Sequence, residues 1–66
     1  MNITVNGEPR DVQPDTSLRA LIESLSLKPE LTAVQLNETI VHRDDVGVTM
    51  LSDGDVVELI RVVGGG

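Results

Sequence analysis

From Asn2 to Asn6 the chain alternates, with Ile3 and Val5 on one side and Asn2, Thr4 and Asn6 on the other, which is the period of a half-buried strand. Asn6-Gly7 accepts positive φ at both central positions of a type I′ turn, so it predicts a hairpin to a second strand over 8–12. Pro9 has no N–H to donate and confines that second strand to the sheet edge. The period then changes. Leu18, Leu21, Ile22 and Leu25 recur at i, i+3, i+4 and i+7, predicting an amphipathic helix over about residues 17–26, with Asp15, Thr16 and Ser17 offering capping oxygens. Lys28 places a cation near its negative end, and Pro29 stops it by about residue 27.

Alternation returns over 33–37 with Val34 and Leu36 inward, and an Asn37-Glu38-Thr39 turn leads to a short strand over 40–42, a second hairpin. Residues 43–48 show neither period; Asp44 or Asp45 is placed to cap one helical turn, and Met50 with Leu51 is expected to close the core beneath it. After the Asp53-Gly54-Asp55 turn comes the longest strand-like run, 56–63. Val57 and Leu59 share one side of it, and Val56, Glu58, Ile60 and Val62 the other, so this strand is expected at the sheet centre with some apolar surface exposed. Hairpin, helix, hairpin and last strand fit an α+β class. A helix joining these hairpins must cross one sheet face and bury its leucine stripe on Ile3, Val5, Val34, Leu36, Val57 and Leu59. The expected fold is a β-grasp (ubiquitin-like): a mixed sheet of four to five strands on one main helix, with the last strand parallel to the first. Residues 1–63 form this domain and 64–66 a flexible tail.

Composition narrows the chemistry. At 66 residues there is room for one core, and with no Phe, Trp, Tyr or Cys that core is aliphatic. Disulfides, Fe–S clusters, zinc ribbons and thiol nucleophiles are excluded, and a single histidine builds no multi-histidine metal site. Five Lys and Arg against eleven Asp and Glu give a net charge of −6, which repels phosphate backbones and argues against nucleic acid as partner. No apolar run reaches the roughly 20 residues of a membrane span, and the N-terminus lacks a signal-peptide pattern, so a cytoplasmic protein, monomeric when free, is expected. Asp44, Asp45, Asp53 and Asp55 lack the ligand spacing of an EF-hand and read as turn and cap residues. His42 has no triad partners and reads as a polar strand end; Arg43 is expected to pair with Asp44, Asp45 or a partner's carboxylate. With no convergent acid, base or metal set, an enzyme is the least favoured class.

The informative residues are Gly64, Gly65 and Gly66, directly after the aliphatic strand. Glycines lose the most entropy on ordering and pack nothing, so they serve no fold. One reading is a frayed terminus. The other is a thin arm threading a partner's narrow active site, with the α-carboxylate of Gly66 as its reactive group. A carboxylate is inert until adenylation by ATP makes it an acyl-AMP anhydride. Ile60 and Val62, facing away from the helix, are candidates for a partner-docking patch beside the arm, with packing under a loop as the alternative.

In order and spacing, Ile3-Thr4-Val5-Asn6-Gly7-Glu8, Thr16-Ser17-Leu18 with Leu21-Ile22 and Leu25, Ala33 to Glu38 through Ile40-Val41 and Arg43, Leu51, Asp53 to Glu58 and Val63-Gly64-Gly65-Gly66 resemble the β-grasp sulfur carriers over the whole chain. The likeness is strongest to the ThiS type of thiamine thiazole synthesis. An aromatic residue frequent in that family after the arginine is here replaced by Asp44-Asp45-Val46. The resemblance implies that an E1-like adenylating enzyme activates the Gly66 carboxylate with ATP. A persulfide donor then displaces AMP to leave a terminal thiocarboxylate, and thiazole synthase takes the sulfur. Gly66 would carry the covalent sulfur and the transient AMP, Gly64 and Gly65 would thread the partners' active sites, and no cofactor or metal would be bound. Other carriers (molybdopterin-like or cysteine-like), a protein modifier forming isopeptide bonds and a non-covalent β-grasp interaction module remain as alternatives.

Overall fold

A computed structural model describes residues 1–61. Strand β1 (Asn2–Val5) turns through Asn6 and Gly7, at φ 50° and 82°, into β2 (Glu8–Asp11). Helix α1 (Leu18–Ser24) follows, then a 3-10 turn (Pro29–Leu31), β3 (Thr32–Leu36) and β4 (Thr39–Val41). A second 3-10 turn (Arg43–Asp45) precedes β5 (Val56–Arg61). The sheet order is β2-β1-β5-β3-β4, with β5 parallel to β1 and antiparallel to β3. This is the expected β-grasp with five strands, and β2, with Pro9, is an edge strand.

The core is aliphatic. Leu18, Leu21 and Ile22 of α1 are fully buried against a sheet face that presents Ile3, Val5, Val34, Val57 and Leu59, while Leu25 and Leu36 pack at its margin. Ser17 caps α1 as its side chain accepts from the Ala20 N–H at 3.0 Å. The two other free N–H groups of the first turn are taken by carbonyls of the 46–49 segment: Leu18 donates to Thr49 at 2.9 Å and Arg19 to Val46 at 3.0 Å. Helix and segment therefore hold each other's backbone.

Several expectations are corrected. The helix ends earlier, because Ser26 turns left-handed at φ 61° after the C-cap Leu25. Lys28 lies beyond the last helical turn, and its carbonyl instead accepts from Leu31 N–H at 2.9 Å and the Thr32 hydroxyl at 2.8 Å. Thr39 belongs to β4, paired with Leu36, so the second hairpin has a two-residue loop, Asn37-Glu38, at φ 49° and 71°. The turn over Arg43–Asp45 is capped by neither aspartate but by His42, whose Nδ1 accepts from the Asp44 N–H at 3.1 Å. Leu51 closes the core as expected, but its companion is Val46, 4% exposed, while Met50 is 48% exposed. The reason is the backbone. Ser17 and Met50 form an isolated antiparallel bridge, which sends Leu51 inward and Met50 outward. Accordingly Val46→Ala should cost about 2 kcal/mol of unfolding free energy, whereas Met50→Ala should change it by less than about 1 kcal/mol; urea titration of both variants measures the contrast.

Candidate functional site

Strand β5 is the described element that precedes the terminal glycines in the sequence, and its backbone is held by side chains as well as by strands. On one side β3 pairs with it as far as Thr32 opposite Arg61. On the other, β1 leaves after Val5, opposite Val57, because Asn6 and Gly7 turn away. The Asn6 carboxamide then takes the place of a strand: the Leu59 N–H donates to Asn6 Oδ1 at 2.8 Å, and Asn6 Nδ2 donates to the Leu59 carbonyl at 3.2 Å. At the start of β5 Asn37 acts likewise, accepting from the Val56 N–H on its side-chain oxygen at 2.9 Å while its backbone N–H donates to the Val56 carbonyl at 2.8 Å. Asn37 Nδ2 also donates to the Asp55 carboxylate at 3.0 Å. Both asparagines sit in the left-handed region, which Asn tolerates better than most residues, so each hairpin turn also clamps β5.

The face of β5 away from α1 carries Val56, Glu58 and Ile60. Ile60 is 63% exposed and Val56 45% exposed. Ile40 of β4, in register with Gln35 and through it with Glu58, extends this face and is 82% exposed. An open depression runs across it, lined by Gln35, Asn37, Glu38, Val56, Glu58 and Ile60. Ile60 is therefore outward as the alternation implied, and it lies on surface, not beneath a loop. Val62, Gly64, Gly65 and Gly66 lie outside the described residues. Sequence reasoning missed Asn6, Gln35 and Glu58; the first was read only as a turn residue, and its carboxamide bonds appear once β1 and β5 are known to be neighbours.

The aspartates hold turns. Asp53 accepts from the Asn2 N–H at 2.7 Å, and Asp55 from the Ser52 N–H at 2.7 Å. Among the described residues no group of His, Cys, Asp and Glu is placed to hold a metal ion, and the ion pairs join the Met1 amine to Asp11 and Arg19 to Glu23. Among the ion pairs of the described residues Arg43 joins neither Asp44 nor Asp45, two of the three kinds of partner expected for it. His42 lies 3.4 Å from the Asp44 carboxylate, but its Nδ1 lone pair is already engaged by the Asp44 N–H.

A central last strand parallel to the first, one helix gripped by the sheet and an open apolar face define a ubiquitin-like β-grasp protein. Residues 3–66 match the model of the ThiS family. The sulfur carrier protein ThiS of Thermus thermophilus is 36% identical over 64 residues, covering 97% of this chain and 98% of that protein. A thiazole synthase of Magnetococcus marinus is 36% identical over 66 residues, which is 100% of this chain but 20% of the relative, so the chain spans about a fifth of that protein's length. The crystal structure of the thiamine biosynthesis protein ThiS of Geobacter metallireducens is 35% identical, covers 100% of both chains and superposes with a TM-score of 0.84. The chain belongs to the ThiS family of sulfur carrier proteins.

The clamp has a direct readout. Asn6→Gly keeps the left-handed turn but removes both carboxamide bonds, so stability should fall by about 1–2 kcal/mol. The Leu59 amide should then exchange with solvent at least about tenfold faster, beyond the change seen at Leu21, in hydrogen exchange followed by NMR.

Proposed function

We propose that this protein carries sulfur as a C-terminal thiocarboxylate for thiamine thiazole synthesis. The observation that carries the reading is the match of residues 3–66, through the terminal glycines, to the ThiS family, together with a β5 root held on both sides two residues before Arg61. In this reading residues 1–63 are the folded domain and 64–66 the arm. The Gly66 carboxylate attacks the α-phosphate of ATP in an E1-like enzyme, releasing pyrophosphate and forming an acyl adenylate. The outer sulfur of a donor persulfide attacks the acyl carbon and expels AMP, a thiol reductant then cleaves the resulting acyl disulfide to leave the thiocarboxylate, and the thiocarboxylate passes its sulfur to thiazole synthase. Gly64 and Gly65 let the backbone enter both active sites, because without Cβ atoms a narrow channel closes around it. The chain itself supplies no catalytic residue and no bound cofactor, and it works in the cytoplasm as a monomer between encounters.

Two further observations support the choice of partners. A thiazole synthase contains a stretch that matches this whole chain, which is the arrangement expected where a carrier and its acceptor act on each other. The exposed Ile60 lies one residue before the last described strand position, so a partner gripping the arm also meets the Ile60 face, with Val62 continuing it.

Two variants test the assignment in a reconstituted system of ATP, the cognate E1-like enzyme and a sulfide source. Gly65→Trp should abolish thiocarboxylate formation with the unfolding midpoint unchanged; normal product from that variant would refute the threading role. Ile60→Asp should raise the carrier concentration for half-maximal activation by at least about tenfold, the scale of a central apolar contact. Because Ile60 is 63% exposed, its unfolding free energy should change by less than about 1 kcal/mol.

A further inference from the structure

The free sheet face and the helix side of this protein differ in charge, and strand register is the cause. The chain has five Lys and Arg. Arg10 pairs with the buried Ile3, and Arg61 with the buried Thr32, so alternation turns both toward the helix side. There Arg10 borders α1 beside Ala20 and Ser24, and Arg61 stands with Lys28 beside Leu27. Arg19 and Arg43 share a shallow cleft with Glu30. All five cationic side chains are thereby accounted for away from the depression on the free face. That depression holds two carboxylates, Glu38 and Glu58, between the exposed apolar surfaces of Val56 and Ile60. The ion pairs of the described residues engage Asp11 and Glu23, and leave Glu38 and Glu58 without a cation.

This combination is selective. Val56 and Ile60 favour contact with another apolar surface, yet covering Glu58 with such a surface alone would strip its carboxylate of water with nothing in return. The face is satisfied by an apolar surface that also carries a cation at the position opposite Glu58. A guanidinium suits it best, since its planar fork meets a carboxylate with two hydrogen bonds and it tolerates partial desolvation better than an ammonium. Gln35, half-buried and in register with Glu58, offers a neutral donor and acceptor beside the pair and adds no competing charge.

We infer that the free face of β3 and β5 docks on an apolar protein surface bearing an arginine or lysine opposite Glu58, and that Glu58 sets partner specificity. The inference rests on the carrier reading in one respect: it takes the adenylating enzyme as the partner.

The test compares wild type, Glu58→Gln, Glu58→Lys and Glu30→Lys. Glu30 is exposed and borders the Arg19–Arg43 cleft, so Glu30→Lys changes the net charge as Glu58→Lys does, but on the helix side. Dissociation constants for the full-length E1-like enzyme are measured by calorimetry at two salt concentrations, with thermal melts confirming that each exposed-site variant is folded. Glu58→Gln should weaken binding by about threefold to tenfold and flatten its salt dependence. Glu58→Lys should weaken it by at least about thirtyfold, and Glu30→Lys should stay within about threefold of wild type. Equal losses for Glu58→Lys and Glu30→Lys would assign the effect to net charge and overturn the proposal, as would wild-type affinity in both Glu58 variants. Wild type that binds with this pattern but is never adenylated would sustain the docking surface while refuting the carrier reading; wild type that fails to bind at all would overturn both.

Discussion

The parallel pairing of β5 with β1 is the constraint on which the rest of the molecule depends. Parallel neighbours cannot be joined by a tight turn, so the chain between them has to cross a face of the sheet. Here the crossing carries α1, which buries Leu18, Leu21 and Ile22 on the strands it spans. It also carries the β3–β4 hairpin, which comes to the opposite edge of β5 and pairs with it antiparallel. The outcome is a last strand with neighbours on both sides, whose inward Val57 is fully buried and whose outward residues are exposed beside the route to the arm. A last strand paired on both sides, with one exposed face, is a consequence of that topology.

Two asparagines complete what the strands leave unfinished. A hairpin turn must leave the sheet, and each turn departs while β5 still has N–H and C=O groups to satisfy. Asn6 answers this with a carboxamide that mimics a peptide unit and Asn37 with its side-chain oxygen and backbone N–H together, both from backbones already in the left-handed conformation that the turn requires. One residue type thus meets two demands, and the sheet keeps its hydrogen bonding to Leu59 on the side that β1 has left. Elsewhere the same economy ties α1 to the 46–49 segment, where backbone carbonyls occupy the N–H groups at the helix start.

Much of this was legible in the residues, for reasons that are themselves physical. Period-two alternation marks β1 and β3 because one face is buried and the other wet; the i, i+3, i+4 leucines mark α1 for the corresponding reason. The outward position of Ile60 follows from the inward positions of Val57 and Leu59. Residues 43–50 defeated the same logic because their geometry comes from tertiary bonds. Val46 is buried and Met50 exposed because of where Thr16, Leu18 and Arg19 hold the segment, and no local period records that. His42 was read as a polar strand end and does directly follow β4, but its capping of the Arg43–Asp45 turn depends on where that strand stops. The Asn6 clamp and the segregation of charge both require the strand register, since Arg10 and Arg61 find their side only through Ile3 and Thr32. Gly64, Gly65 and Gly66 stood out in the sequence because glycines in a row offer no side chain to a core, and they lie outside the described residues.

On the carrier reading the β-grasp domain presents the Gly66 carboxylate for activation. Intact-mass spectrometry of the wild-type chain, after incubation with ATP, sulfide and the E1-like enzyme of the same genome beside an established carrier, tests it most directly. A sulfur carrier should show a mass gain equal to the difference between sulfur and oxygen, localised by fragmentation to Gly66. An unmodified chain beside a fully converted control, with every such enzyme the genome encodes, would contradict it and leave the β-grasp domain as a non-covalent interaction module.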